Sequence, residues 1–360
     1  MIPLAADRGD LLFISNYDPA GIGGSNRRLR SLASVCAAYY NIRFYILQHY
    51  TRWALLNKLI WQCLCFFQAY RVRGQPVVCY LNYKAYPLVR LATWLCGSSL
   101  MFAADSLAHF EFQERFPRHK LYSYGVLQLE KAIAQTADLI LCASPNISAF
   151  FARYNRHVYT LTNFVDVDRY RATETKAALR ERWQLPGGLL IGLTGPFPVP
   201  FNATFLPYLW QHIHEFAAGI TPIVIGSCPE KRFTDRIRYV DTIADEQAYI
   251  EHLLALDGLL IPSELATSGP LTKILDAFAA RIPVYTTPKG AIGLANASNR
   301  EHLFIAELTE LPALINETLA DDQLLAGIRE RAYELVSATY SRTSQLDTVA
   351  AIYRDVSGGV

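Results

Sequence analysis

Long apolar runs are missing from this sequence, and a helical membrane span needs about 20 consecutive apolar residues. The nearest approach, RWALLNKLIWQCLCFFQAYRVR at 52–73, is interrupted by Asn57, Lys58, Gln62 and Gln68. Net charge is scarce too. A formal charge of +2 over 360 residues argues against bulk electrostatic binding to nucleic acid, which requires a far more basic domain or stripe. The seven cysteines have no CxxC spacing (Cys63 and Cys65 are the closest pair) and read as scattered reduced thiols. No basic region precedes the short apolar run of MIPLAADRGDLLFIS, so a secretory signal is not expected and the expected location is cytoplasmic.

What is present is apolar. Hydrophobic residues make up 51% of the chain and charged residues 18%, enough for a large core, and the length suits two domains. DLLFISNY (10–17), IRFYILQHY (42–50), PVVCYLNY (76–83), SLMFAADS (99–106) and DLILCAS (138–144) read as strands, with helical stretches between them. The pattern restarts at LLIGLTG (189–195) and continues through TPIVIGS, IRYVDTI, DGLLIPS and IPVYTT. Such alternation predicts an α/β chain of two doubly wound parallel sheets with a cleft between them. The segment TYSRTSQLDTVAAIYRDV reads as a terminal helix beyond the second sheet.

The turn GIGGSNRR (21–28) is glycine-rich but lacks the third glycine of GxGxxG, and no acidic residue ends the second strand. It is either a plain tight turn or a loop whose amides, with Arg27 and Arg28, meet an anionic group or a sugar. DVD at 166–168 reads as a cap or a solvent-facing pair. His212 and His214, two apart, face different sides of a helix, so no metal is expected at either place. His109, just after the fourth strand, is an exposed loop residue or a site residue at the strand's carboxyl end.

SGPLTKILDAFAARIPVYTT (268–287) is the most informative stretch. A Gly-Pro turn leads into Thr272 and Lys273 at the head of an apolar helix, whose first amides and lysine would oppose the charge of a diphosphate. Asp276, three residues on, is placed to accept from a ribose, or forms with Lys273 an exposed i,i+3 pair.

With these residues in view, the chain resembles the retaining GT-B glycosyltransferases of the glycosyltransferase 4-like group. DGLLIPSELATSGPLTKILDAFAARIPVYTTPKGAIGL is similar to that family's strand, Pro-Ser, Gly turn, K-I-L-E-A helix, P-V and final Gly-Leu, with Asp276 in the place of the second glutamate. GPFPVPFNATFL, GGSNRR, ADS and TNFVDVDRY resemble further family segments. Departures are Ser268, where the first acid of an E-x7-E pair would stand, and Leu271, where an arginine often stands.

The resemblance implies a first, acceptor-side Rossmann-like domain at 1–163, a linker region at 164–188, a nucleotide-sugar domain at 189–337, and a helix at 338–360 packing back on the first domain. It implies metal-independent transfer, with retention, from a nucleotide-diphosphate sugar to a glycan or lipid-linked acceptor, with no cofactor. Donor contacts would come from Gly23, Gly24, Gly195, Asn202, Ser268, Gly269, Thr272, Lys273 and Asp276. Lys273, His109 and Asp105 would be the catalytic set, the last two on the acceptor side. A catalytically silent GT-B scaffold and a GT-B-type nucleotide-sugar epimerase are the alternatives. The helix at 52–73, with Trp53, Trp61, Phe66, Phe67 and Tyr70 between Arg52, Arg71 and Arg73, is expected either to be core or to touch an anionic membrane surface, making the protein peripheral on the membrane's inner face.

Overall fold

Apolar tetrapeptides such as VVCY and LILC are buried along their whole length, as strands covered on both faces must be. The computed structural model describes residues 9–21, 24–46, 54–199 and 201–357. It divides the chain into two units, Met1–Asn163 with Gln345–Val360, and Phe164–Ser344.

In the first unit the elements are β1 (Asp10–Ser15), α1 (Gly24–Cys36), β2 (Asn41–Ile46), α2 (Ala54–Arg71), β3 (Val77–Tyr80), α3 (Tyr86–Cys96), β4 (Leu100–Ala104), α4 (Ala108–Arg115), α5 (Lys120–Thr136), β5 (Leu139–Cys142), α6 (Pro145–Phe151) and β6 (Val158–Thr160). The six strands are parallel, in the order β2-β1-β3-β4-β5-β6. Strand order reverses between β1 and β3, the place where such sheets open a crevice at their carboxyl ends.

The second unit runs through α7 (Lys176–Arg182), β7 (Leu189–Thr194), α8 (Phe205–His212), β8 (Ile220–Ile225), β9 (Arg238–Val240), α9 (Glu246–Leu254), β10 (Gly258–Ile261), α10 (Thr272–Ala279), β11 (Val284–Thr286), α11 (Pro288–Ala291), β12 (Phe304–Ile305), α12 (Leu311–Thr318) and α13 (Asp322–Thr339). Its sheet is also parallel, in the order β12-β11-β10-β7-β8-β9. Here the reversal falls between β7 and β10. The last helix, α14 (Arg342–Ser357), belongs to the first unit from Gln345 onward, where Tyr353 stacks on Tyr39 at 4.9 Å.

The two units share a local device. Asp138, just before β5, accepts the amide of Leu100 at 2.7 Å, and Asp257, just before β10, accepts that of Leu190 at 2.7 Å. Each carboxylate also holds a cation, Arg90 in one case and Lys176 with Arg180 in the other. Both stitch the edge of the sheet away from its carboxyl ends. Both sheets and their alternating helices thus form the two Rossmann-like halves that the strand pattern predicts.

Candidate functional site

In the second unit the chain leaves β7 through Gly195 and returns at α8, while β10 leads through the turn at 262–271 into α10. Leu271 has no side-chain acceptor to offer, so no side chain caps α10. By contrast Thr175, Asp245, Thr287 and Asp321 cap α7, α9, α11 and α13. No side chain therefore competes with a ligand for the start of α10, although the Ile274 amide already donates to Leu271 O at 3.0 Å.

Lys273, in the first turn of α10, reaches across the point where strand order reverses. Its Nζ donates to the carbonyl of Thr194 at the end of β7 (2.7 Å) and to Asn202 Oδ1 (3.0 Å), and lies 4.9 Å from the centre of the Phe205 ring. Asn202 is fixed in turn by donating through Nδ2 to Pro196 O at 2.8 Å. The side chain is half-buried, and among the described residues no carboxylate is hydrogen-bonded to it. Burial pushes its amine down from 10.5 to about 7, against the opposing pull of Asp276. Beside it, the buried Thr194 hydroxyl has no hydrogen-bond partner among the described residues. A cation with little opposing charge, a helix start without a side-chain cap and an orphaned hydroxyl are together suited to an anion.

Backbone packing holds this turn in place. A Cβ on Gly293 would sit 2.1 Å from the carbonyl carbon of Gly269 and 2.3 Å from Pro270 N. Only a glycine lets the segment after α11 lie against the Gly269-Pro270 peptide. Thr267 Oγ1 donates to Gly269 O at 3.0 Å, and Ser268 is buried. Asp276 is 2% exposed and accepts from the Tyr170 hydroxyl at 2.8 Å, so its carboxylate already has a partner within its own unit. Asp168, of the DVD segment, pairs with Arg171 at 2.8 Å on the surface.

In the first unit Arg28 is turned inward rather than toward the glycine loop. It donates to the carbonyls of Leu161 and Thr162 and pairs with Asp105 at 3.3 Å. Tyr80 also hydrogen-bonds Asp105. Burial pushes the Asp105 carboxyl up, with Arg28 opposing. Asp105 thus ties α1 to the carboxyl ends of β3 and β4. Gly24 opens α1 and is exposed. Gly23 lies outside the described residues.

His109, in the first turn of α4, is held by a residue the sequence reading does not single out. Its Nδ1 is hydrogen-bonded to Glu130 Oε2, and Glu130 is wholly buried on α5. Glu130 also accepts from the amide of Ala108 at 2.6 Å and from the Tyr83 hydroxyl at 3.3 Å. A carboxylate on Nδ1 fixes the ring and leaves Nε2 for a substrate. The structure therefore gathers Gly269, Thr272, Lys273, Asn202 and Gly195 around the β7–β10 reversal, and His109 with Glu130 beside β4.

No protein-family model matches the sequence, and no curated protein matches it. Solved structures do. Sucrose-phosphate synthase from Thermosynechococcus elongatus superposes with a TM-score of 0.77 at 16% identity, covering 98% of this chain and 100% of that one. HepE from Anabaena, solved in complex with UDP, gives 0.73 at 15% identity, covering 96% and 100%. WaaG, a glycosyltransferase involved in lipopolysaccharide biosynthesis, gives 0.70 at 13% identity, covering 95% and 99%. The fold of this chain is the GT-B fold of these glycosyltransferases.

Proposed function

We propose that the chain is a glycosyltransferase that moves a sugar from a nucleoside-diphosphate donor to a glycan or lipid-linked acceptor, with retention and without a metal ion. The observation that carries this reading is Lys273, a half-buried amine at the uncapped start of α10 with two neutral acceptors and, among the described residues, no hydrogen-bonded carboxylate. A diphosphate would supply the missing negative charge. As the sugar–phosphate bond breaks, the charge growing on the departing diphosphate would fall on Lys273 and the first amides of α10, the kind of preorganised stabilisation that dominates many enzymatic barriers. The same cationic arrangement is why a metal is not required in this reading.

Thr272 and Gly269 would bring backbone to the phosphates, and Asn202 would hold Lys273 in place. Asp276 would reach a ribose only by exchanging its bond to Tyr170. On the acceptor side, His109, oriented by Glu130, is the group proposed to meet the acceptor hydroxyl, and Asp105, held by Arg28 and Tyr80, would fix the ends of β3 and β4 on that side. The fold of HepE, solved with UDP and with UDP-glucose, supports a nucleotide-sugar donor.

A second reading is favoured by one observation: buried Ser268 stands where the resemblance places a carboxylate. In that reading the protein binds the donor and does not turn it over. A panel of nucleoside-diphosphate sugars, screened for binding and for release of the nucleoside diphosphate in the presence of excess EDTA, separates the two. Release sustained in EDTA is the expected result. Binding without release, with or without acceptor, would leave only the second reading, and activity restored by manganese alone would refute metal independence.

A further inference from the structure

The near-neutral total charge conceals a division. Residues of the first unit carry 18 Lys and Arg against 10 Asp and Glu, while those of the second carry 16 against 22. From residue 19 to residue 104 there is no acidic residue at all, in 86 positions that hold ten Lys and Arg.

Some of these cations, Arg71 and Arg73 at and just past the end of α2, share a surface with apolar side chains, whereas Arg27, Arg28 and Arg30 lie on α1. The connections from β2 to β3, β3 to β4 and β4 to β5 all step the same way through the first sheet. Right-handed crossovers therefore put α2, α3, α4 and α5 on one side of it, and α1 on the other. On α2 the stripe Trp61, Cys65 and Ala69 is buried, and the opposite stripe exposes Leu59 and Phe67. Alongside it, where Cys96 Sγ lies 3.7 Å from Ala69 O, α3 exposes Trp94 at 69%. The head of α5 exposes Leu121 at 85% and Tyr124, and α4 buries no residue.

Of the fifteen large apolar side chains exposed among the described residues, ten lie between Leu56 and Tyr124. That concentration marks an interaction surface rather than scattered surface apolarity. It differs from the sequence expectation in its residues. Trp61 is core, Phe66 and Tyr70 stack on each other half-buried, and Trp53 lies outside the described residues. Trp94 and Leu121, on other helices, take their place.

We propose that this side of the first unit docks on an anionic lipid bilayer. Exposed Arg71, Arg118 and Lys120 flank the apolar tips, so headgroups and acyl chains would be met together. The carboxylates of α4, Glu111 and Glu114, are half-buried and engaged with other groups. A nucleic acid would match the cations and leave Trp94 and Leu121 unused. A second copy would set two cationic faces against each other across a symmetry axis. No helix of the described residues is long and apolar enough to cross a membrane, so the contact is with the surface.

The test is sedimentation of the full chain, without donor, with vesicles of phosphatidylcholine mixed with phosphatidylglycerol and with vesicles of phosphatidylcholine alone, each at low and high salt. The protein should pellet with the mixed vesicles at low salt and leave them at high salt. Arg71→Gln and Lys120→Gln should each weaken that binding by about fivefold, and the double variant Trp94→Ser with Leu121→Ser should weaken binding to both vesicles. All four side chains are exposed, and thermal melts check that the variants remain folded. Protein left in the supernatant throughout, or vesicle binding that none of these variants alters, overturns the proposal. Duplex DNA bound equally well by the double variant, or a dimer that it dissolves, also overturns it, in favour of nucleic acid or a second copy.

Discussion

Replacing Lys273 with methionine should make the protein more stable and its donor site worse. Methionine keeps the unbranched stem and removes the charge. Holding an amine at about 7 rather than 10.5 corresponds to about 5 kcal/mol of unfavourable charge burial at low pH. The variant forgoes two hydrogen bonds, to Thr194 O and Asn202 Oδ1, worth about 1 to 1.5 kcal/mol each. At pH 6 the balance is a gain of about 2 to 3 kcal/mol.

The sign of the pH dependence follows from the direction of the shift. The folded protein holds Lys273 less strongly protonated than the unfolded chain does. The burial cost is therefore fully present below pH 7, and is relieved between pH 7 and about 10.5 as the native amine goes neutral, by about 1.4 kcal/mol per pH unit. The advantage of Lys273→Met over the parent should shrink by about 3 kcal/mol from pH 6 to pH 9. Urea denaturation of both proteins at matched pH values measures it. A variant that is less stable at every pH, with a difference that does not change with pH, would mean that the amine is solvated and that the site reasoning is wrong.

Other consequences are simpler. His109→Ala should lower the turnover number about a hundredfold and leave donor affinity, measured by calorimetry, at the parent value, and Glu130→Gln should move turnover in the same direction by less. Equal losses in donor affinity would place the pair in the donor site instead. Gly293→Ala drives a methyl into the Gly269-Pro270 peptide and should cost about 1 to 3 kcal/mol of stability together with donor affinity, whereas Gly187→Ala, where a Cβ meets nothing within 4 Å, should leave donor affinity unchanged.

The parts of this molecule legible in the sequence are those written in consecutive residues. Parallel strands buried on both faces read as runs such as LLFI and LLIGL, and the Gly-Pro turn before Thr272 announces the head of α10. Short edge elements carry too little pattern. β6 is three half-buried residues and β12 only two, and α6 declares itself mainly through the cap that Ser144 places on Ile147 N. Partnerships across the chain are not legible at all. Glu130 meets His109 from 21 positions away, Tyr170 meets Asp276 from 106, and Arg28 meets Asp105 from 77. Arg28 reads as a loop cation because it follows the glycines. The three acceptors that draw it inward are contributed by β4's end and the segment after β6. The summed charge misleads in a similar way, since excesses of opposite sign in the two units nearly cancel.

Calorimetric titration with UDP, GDP and ADP at pH 8, in two buffers of different ionisation enthalpy, tests most directly whether Lys273 is the partner of a diphosphate. An amine of pKa about 7 is mostly neutral at pH 8 and must be recharged by an arriving anion, so the best-bound nucleotide should take up close to one proton. Lys273→Gln should bind that nucleotide about ten- to a hundredfold more weakly, the loss of one charge-assisted contact, and take up none. A Lys273→Gln protein that binds as tightly as the parent with the same proton uptake, or a parent that binds none of the three, would contradict the assignment.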